Sequence, residues 1–155
     1  MREVAILGVG QTPVREHWDQ SLRQLAVQAG RAAMTDAGVD NVDAIYVSNM
    51  NSDRLGGQRH LGALVADYLG LRGTEAVRLE AACGSAGSAM RQGLLAVASG
   101  ELDRVLVIGV EKLTESLGRE TTAALATAAD ADYEIEHGIT FVGLNALIMR
   151  RYMHE

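Results

Sequence analysis

Short apolar segments that alternate with helical patterns constrain the fold of this chain more than any other feature. Four segments have the pattern of strands, and they span residues 3–10, 43–48, 74–79 and 104–110. Strands that alternate with helices of ordinary length indicate βαβ units, whose strands lie parallel and are joined by right-handed crossovers. The sequence therefore predicts an α/β fold with layered βαβ units on a mainly parallel sheet.

Two of the four segments carry more specific expectations. Segment 104–110 (RVLVIGV) is apolar at successive positions, which is typical of a strand in the middle of a parallel sheet. Segment 3–10 (EVAILGVG) predicts a short strand that is buried on both faces. Gly8 and Gly10 suggest a dinucleotide-binding turn, but Gln-Thr-Pro replaces the third glycine of that motif, so an ordinary turn explains them better.

Apolar residues recur at helical spacing in four other parts of the chain. The predicted helices run from an N-cap at Asp19 or Ser21 to Gly38, from about Gln58 to Gly70, from Ala86 to Gly100, and from about Val142 to the last residues. Segment 49–57 is polar and contains glycine, so it predicts a loop. Segment 114–132 has only weak periodicity and favours no particular element.

Cys83 is the only cysteine, and it lies where the predicted strand 74–79 gives way to a helix. The free N–H groups and the positive end of a helix favour a thiolate over a thiol, which makes such a cysteine a candidate nucleophile. The small residues around it leave room for a substrate. From the residues alone, a buried cysteine that packs as a small hydrophobe remains an alternative.

Composition narrows the classes of function. A net charge of −6 argues against a general nucleic-acid or membrane-surface binder, and a single cysteine excludes an internal disulfide. The sequence has neither a signal peptide nor a long apolar run, so we expect a cytoplasmic protein. We expect no metal site, and we assign no catalytic role to the four histidines, which are His17, His60, His137 and His154.

Six segments in the same order give the chain a family resemblance. They are VAILGVGQTPV, DAGV, HLGALVADYLGL, AACGSAG, GVEKLTE and GITFVGLNALIMRRYM. Together they resemble the thiolase superfamily, in particular the branch that includes the sterol carrier protein 2 type thiolases and the archaeal acetyl-CoA acetyltransferases. One difference is that many members read C-A-S-G where this chain has Cys-Gly-Ser-Ala from Cys83 onward.

The resemblance implies a particular domain organisation. Members of the superfamily have two similar βαβαβαββ halves and a loop domain inserted in the first, and this chain resembles the first half as far as the insertion. Residues 1–113 then correspond to an incomplete first half that lacks its fifth strand. Residues 114–155 correspond to the beginning of the inserted loop domain.

The resemblance also implies a chemistry. Cys83 would accept the acyl group, its backbone N–H would belong to an oxyanion hole, and coenzyme A thioesters would be the substrates, with no permanently bound cofactor. The reaction would be a Claisen condensation or its thiolytic reverse. The activating histidines and the second cysteine of the family belong to the second half. The segment from Phe141 to Met149 would help to line the acyl pocket.

Three interpretations remain open at this point. The chain would be the N-terminal part of a thiolase that needs a C-terminal half, a retro-aldolase of the same superfamily that acts on CoA-linked side chains, or a non-catalytic assembly subunit. The superfamily dimerises through the strand before the nucleophile, so we expect a homodimer through residues 74–79. Archaeal relatives associate with a zinc-containing OB-fold protein and a hydroxymethylglutaryl-CoA synthase, which makes similar partners possible here.

Overall fold

A computed structural model describes residues 2–155, and its central feature is a parallel sheet of three strands. The strands are β1 (Ala44–Ser48), β2 (Glu75–Leu79) and β3 (Val105–Gly109), in the order β2-β1-β3. The first residue of β1, Ala44, lies opposite Glu75 in β2 and Val105 in β3. The parallel α/β fold that the sequence predicts is therefore confirmed.

Six α-helices accompany the sheet in the described residues, together with one 3₁₀ turn and one π-helical turn. The helices are α1 (Leu22–Ala37), α2 (Ser52–Gly56), α3 (Leu61–Leu69), α4 (Ser85–Ser99), α5 (Gly118–Ala126) and α6 (Phe141–His154). The 3₁₀ turn spans Ala82–Gly84 and the π-helical turn spans Ala131–Ile135. The predicted loop 49–57 is wrong in part, because it contains α2, which Gly57 ends in the left-handed conformation with a φ of 64°.

Local chemistry explains where α1 begins and ends. The Ser21 hydroxyl accepts a hydrogen bond from the backbone N–H of Gln24, and the Gln24 side chain accepts one from the backbone N–H of Ser21. At the other end Gly38 adopts a φ of 67°, a left-handed conformation that favours glycine. Of the two predicted N-caps, Ser21 is therefore the one that the structure uses.

The helices of the first part of the chain cover both faces of the sheet. Helices α1 and α3 pack on one face, around the fully buried side chains of Ile45, Val47 and Val65. Helix α4 packs on the other face, where Ala89 is buried against the second side of β1. All five residues of β1 are buried as a result.

The expected position of segment 104–110 in the sheet is wrong. Its strand, β3, lies at an edge, and β1 occupies the centre. Residues of β3 alternate between buried and half-buried along most of its length, whereas those of β1 are buried throughout. The apolar character of both strands is explained by helices on both faces, and this pattern alone does not distinguish a central strand from an edge strand.

The predicted strand 3–10 is also wrong, because this segment forms no strand and stays outside the sheet. Both edges of β1 are already paired, and the segment packs against helices instead. Its glycines approach α1 closely: a Cβ atom added at Gly8 would lie 2.4 Å from the backbone nitrogen of Ala37. The side chain of Ile6 is 73% exposed, so the segment is not buried on both faces.

The chain divides into two compact units, of which the first ends at Lys112 and the second is Leu113–Glu155. The second unit contains α5, the π-helical turn and α6. The side chain of Asp130 caps this turn by accepting hydrogen bonds from the backbone N–H groups of Asp132 and Tyr133. Helix α6 begins at Phe141, one position earlier than the Val142 start that the sequence predicts. Its N-cap is Thr140, whose hydroxyl accepts a hydrogen bond from the backbone N–H of Gly143.

Candidate active site

Cys83 lies just beyond β2, at the edge of the sheet where its parallel strands end. It belongs to the short 3₁₀ turn Ala82–Gly84, and α4 follows immediately. The cysteine is exposed, so the alternative of a buried packing residue does not hold. Crevices outside the carboxyl ends of parallel strands are where open α/β sheets bind their ligands.

The backbone changes direction sharply just before Cys83. Ala82 has a φ of +47°, and it is the one non-glycine residue with positive φ in residues 2–155. Side chains with a Cβ rarely adopt this conformation, and such strain is concentrated at functional sites. Cys83 follows this residue and comes immediately before Gly84, the N-cap of α4.

The hydroxyl of Ser85 holds this turn together. Its Oγ accepts a hydrogen bond of 2.9 Å from the backbone N–H of Ala81 and donates one of 2.6 Å to the carbonyl oxygen of Ala82. The side chain of Ser85 is buried, with 5% of its surface exposed. A third bond, from the N–H of Gly84 to the carbonyl oxygen of Ala81, measures 2.8 Å.

The backbone N–H groups around Cys83 differ in whether they are hydrogen-bonded. That of Ala82 donates to the carboxylate of Glu80, and that of Gly84 donates to Ala81. Within residues 2–155 no group accepts a hydrogen bond from the N–H of Cys83. This N–H is therefore available to a negatively charged oxygen next to the thiol.

A network of hydrogen-bonded polar groups surrounds the same edge of the sheet. The carboxylate of Glu111, after β3, accepts from the backbone N–H groups of Met50 at 3.1 Å and Asn51 at 3.0 Å, and from the side-chain amide of Asn49 at 3.0 Å. These bonds tie the segment after β1 to the segment after β3. The spacing of the polar residues gives no signal that would reveal the network from sequence.

Arg78 connects β2 to the same network. Its guanidinium donates to the carbonyl oxygens of Asn49 at 3.2 Å and Met50 at 2.7 Å, and it lies 3.5 Å from the carboxylate of Asp53. The ends of all three strands are thus linked through side chains. Such links fix the backbone that surrounds the candidate site.

Two buried side chains in this region have polar atoms without partners in the part of the chain that the structure describes. They are Asn51, at both its amide oxygen and its amide nitrogen, and Ser52, at its hydroxyl. Each residue has 1% of its surface exposed. A buried polar group without a partner is unusual, and ordered water is a common explanation.

Within the described residues, the others considered from sequence make no hydrogen bond with this turn or belong to the second unit. Phe141 and Met149 are in α6 of the second unit, and the side chain of Met149 is 65% exposed. His17 is buried and forms a 2.7 Å hydrogen bond with the carbonyl oxygen of Pro13. His60 occupies the N-cap position of α3, but its side chain makes no capping bond.

Two wider properties also bear on function. No group of three or more histidine, cysteine, aspartate or glutamate side chains within residues 2–155 is arranged to hold a metal ion. None of the helices in that range combines the length and the apolar character that crossing a bilayer requires.

Comparison with known proteins gives a consistent result. Residues 4–153 match the family described as "Thiolase, N-terminal domain". The chain is 45% identical over 157 aligned positions to the acetyl-CoA acetyltransferase of Methanothermobacter thermautotrophicus, and the alignment covers 100% of this chain and 40% of that protein. The acetyl-CoA acetyltransferase of Methanocaldococcus jannaschii gives the same identity and the same coverage. The chain therefore spans 40% of the length of these curated relatives.

Solved structures resemble the chain as well. The 3-oxoacyl-[acyl-carrier-protein] synthase III of Aquifex aeolicus superposes with a TM-score of 0.60 and 26% sequence identity. This match covers 70% of the present chain and 35% of the Aquifex chain.

Proposed function

Because the chain belongs to the thiolase family, we propose that it forms the nucleophile-bearing N-terminal part of an acyl-CoA C-acyltransferase of the acetyl-CoA acetyltransferase type. The observation that carries this proposal is the exposed Cys83 on a strained turn between β2 and α4, with an unpaired backbone N–H beside the thiol. The substrates would be coenzyme A thioesters, and no permanently bound cofactor is required.

The first half-reaction transfers an acyl group to the cysteine. The Cys83 thiolate adds to the carbonyl carbon of an acyl-CoA, and the carbonyl oxygen becomes an oxyanion. The N–H of Cys83 is placed to donate to that oxyanion, which lowers the barrier. The intermediate collapses with cleavage of the bond between the carbonyl carbon and the CoA sulfur. The acyl group stays on Cys83, and the CoA thiolate takes up a proton and leaves.

The second half-reaction forms a carbon–carbon bond. A second acyl-CoA loses a proton from the carbon next to its carbonyl, and the resulting carbanion attacks the acyl group on Cys83. The new bond forms as the bond to Cys83 Sγ breaks, which regenerates the thiolate. Thiolytic cleavage follows the same steps in reverse. The base and a second oxyanion donor would come from the C-terminal half that completes the length of the relatives.

A homodimer is part of the same proposal. In the described sheet β2 pairs with β1 along one edge, and its other edge has no strand beside it. An unpaired strand edge is a template for pairing with another chain. We therefore propose that β2, which corresponds to the predicted strand 74–79, joins two copies.

The two alternative interpretations predict different behaviour of Cys83. A retro-aldolase of this superfamily would not depend on the cysteine, and an assembly subunit would not turn over CoA thioesters. The exposure and the strained setting of Cys83 favour the acyltransferase over both. The OB-fold zinc protein and the hydroxymethylglutaryl-CoA synthase remain predictions from family resemblance.

Turnover by the complemented enzyme tests the proposal. The chain would be combined with the C-terminal segment that completes the length of its relatives, and acetoacetyl-CoA thiolysis would be measured. We expect turnover with wild-type Cys83 and none with Cys83→Ala, because the acyl group then has no acceptor. Thiolysis that survives Cys83→Ala would overturn the role of Cys83, and cleavage of a β-hydroxyacyl-CoA that survives Cys83→Ala would favour a retro-aldolase. A wild-type complex that acts on neither substrate would favour the assembly subunit.

A further inference from the structure

We propose that Ser85 is a positioning residue that aims the Cys83 backbone N–H at the developing oxyanion. The inference rests on the proposed function, because it assigns Ser85 a role in acyl transfer to Cys83. Ser85 would touch neither substrate nor thiol. It would act through the backbone of the turn that its hydroxyl holds.

The geometry gives Ser85 two opposite roles in one hydroxyl. Its Oγ accepts from the N–H of Ala81 on one side of the strained residue and donates to the carbonyl oxygen of Ala82 on the other. Ala82, with its φ of +47°, therefore lies between the two bonds. A conformation that costs free energy persists only when its surroundings hold it, and here the surroundings include this hydroxyl.

The carbonyl of Ala82 and the N–H of Cys83 belong to the same peptide group. Because a peptide group is planar and trans, a bond that fixes the direction of its carbonyl also fixes the direction of its N–H. The 2.6 Å bond from Ser85 to the Ala82 carbonyl therefore orients the Cys83 N–H directly. The burial of Ser85 keeps water from competing for this carbonyl.

Removing the hydroxyl should affect one kind of reaction and spare another. Acyl transfer from a thioester develops an oxyanion and needs the aimed N–H, whereas alkylation by iodoacetamide is a displacement that develops no oxyanion. We expect Ser85→Ala to slow acetylation of Cys83 by S-phenyl thioacetate about tenfold to a hundredfold, since misplacing a catalytic group costs rate of this order. The rate of alkylation should stay within about twofold of wild type, because the thiol remains exposed.

The experiment uses the purified chain and this small activated thioester, so it does not require the C-terminal half. Ser85→Thr keeps a hydroxyl at the same position and should retain most of the acetylation rate. Ser88→Ala removes a hydroxyl from the next turn of α4, outside these bonds, and is the matched control. Circular dichroism would verify that each variant has the wild-type helix content before its rates are compared.

A second variant distinguishes positioning from other roles of the hydroxyl. Ala82→Gly allows positive φ without the Cβ penalty, so the turn then needs less support from Ser85. We expect the double variant Ala82→Gly, Ser85→Ala to regain part of the acetylation rate that the single variant Ser85→Ala loses. A hydroxyl that bound the substrate itself would not be replaced in this way.

The outcomes separate this inference from the proposed function. Equal acetylation rates in wild type and Ser85→Ala, or equal losses of acetylation and alkylation, would overturn the role of Ser85. Wild-type protein that is alkylated but not acetylated by the thioester would overturn it too. A complemented enzyme that does not turn over acetoacetyl-CoA, while Ser85→Ala still lowers only acetylation, would refute the proposed function and leave the positioning role standing.

Discussion

Asp43, the residue before β1, shows how a single side chain can link neighbouring strands. Its carboxylate accepts hydrogen bonds from the backbone N–H groups of Asp103 at 2.9 Å and Arg104 at 2.8 Å, just before β3. The bonds to Arg104 and Asp103 lower the pKa of Asp43 below its ordinary value of 3.8, because they stabilise the ionised form. The carboxylate therefore favours the folded state only while it is ionised.

We expect this contribution to stability to depend on pH. A depressed pKa in the folded state means that the stabilisation is present above the ordinary value of 3.8 and is lost as the pH falls through the lower folded value. Asp43→Asn should therefore lower the Tm at about pH 7, and the difference from wild type should shrink as the pH is lowered from about 4 to about 2. Thermal unfolding followed by circular dichroism measures both.

The control for this prediction is Asp40→Asn. Asp40 is an exposed acidic residue in the same turn, and its side chain does not make these bonds. Its substitution should leave the Tm nearly unchanged across the same range of pH. A difference between Asp43→Asn and wild type that stays constant with pH would contradict the assignment.

At the scale of elements, the contact of α3 with β2 depends on a glycine. A Cβ atom added at Gly62 would lie 2.7 Å from the carbonyl carbon of Val77 and 2.9 Å from its backbone nitrogen. Backbone atoms cannot move aside as a flexible side chain would, so helix and strand would have to separate. We expect Gly62→Ala to lower the free energy of unfolding by about 2 to 3 kcal/mol in urea denaturation.

A second glycine provides the comparison for this prediction. Gly87 lies in α4, and an added Cβ would meet nothing within 4 Å. Gly87→Ala should raise the free energy of unfolding by about 0.5 to 1 kcal/mol, because alanine favours the helix. If both variants had the same effect, close packing at Gly62 would not be the reason for its glycine.

The helices and strands differ in how well the sequence predicts their bounds and their places in the fold. The end of α1 at Gly38 and its N-cap at Ser21 could be predicted from the sequence, because capping involves residues that are neighbours in the chain. The order of strands could not be predicted, since an apolar run fits the edge position of β3 as well as the central position of β1. Segment 3–10 has the composition of a strand, but its backbone packs on α1, a choice made by tertiary contacts.

In the candidate site, too, some features could be predicted from the sequence and others could not. Cys83 was recognisable because its residue type, its position after a strand and the surrounding small residues are all visible in the sequence. The roles of Ser85 and Glu111 were not, because each depends on hydrogen bonds between particular atoms in the folded chain. The positive φ of Ala82 was equally hidden, since alanine carries no preference for that conformation.

At the scale of the whole molecule, the chain spans 40% of the length of its curated relatives but includes the turn that bears Cys83, the proposed nucleophile. An acyl-accepting cysteine with one aimed N–H can form an acyl-enzyme, whereas carbon–carbon bond formation needs a base as well. We therefore expect the two half-reactions to separate: acylation belongs to this chain, and condensation requires the C-terminal half.

The proposed homodimer depends on the free edge of β2. If the free edge of β2 joins two copies, a proline in that strand should prevent pairing, because proline has no N–H to donate. We expect Val77→Pro to convert a dimer into a monomer in light scattering coupled to size exclusion. Val107→Pro, in the other edge strand, is the matched control and should leave the dimer intact. A wild-type chain that is monomeric at high concentration would contradict the proposal.

The most direct test of the central claim is the intact mass of the denatured chain after the chain, combined with its C-terminal half, has been incubated with acetoacetyl-CoA. The account predicts an acetyl-sized gain in mass that peptide mapping places on Cys83 and that disappears in Cys83→Ala. No gain on the chain combined with its C-terminal half, or a gain that persists in Cys83→Ala, would contradict the assignment of Cys83 as the acyl-accepting nucleophile.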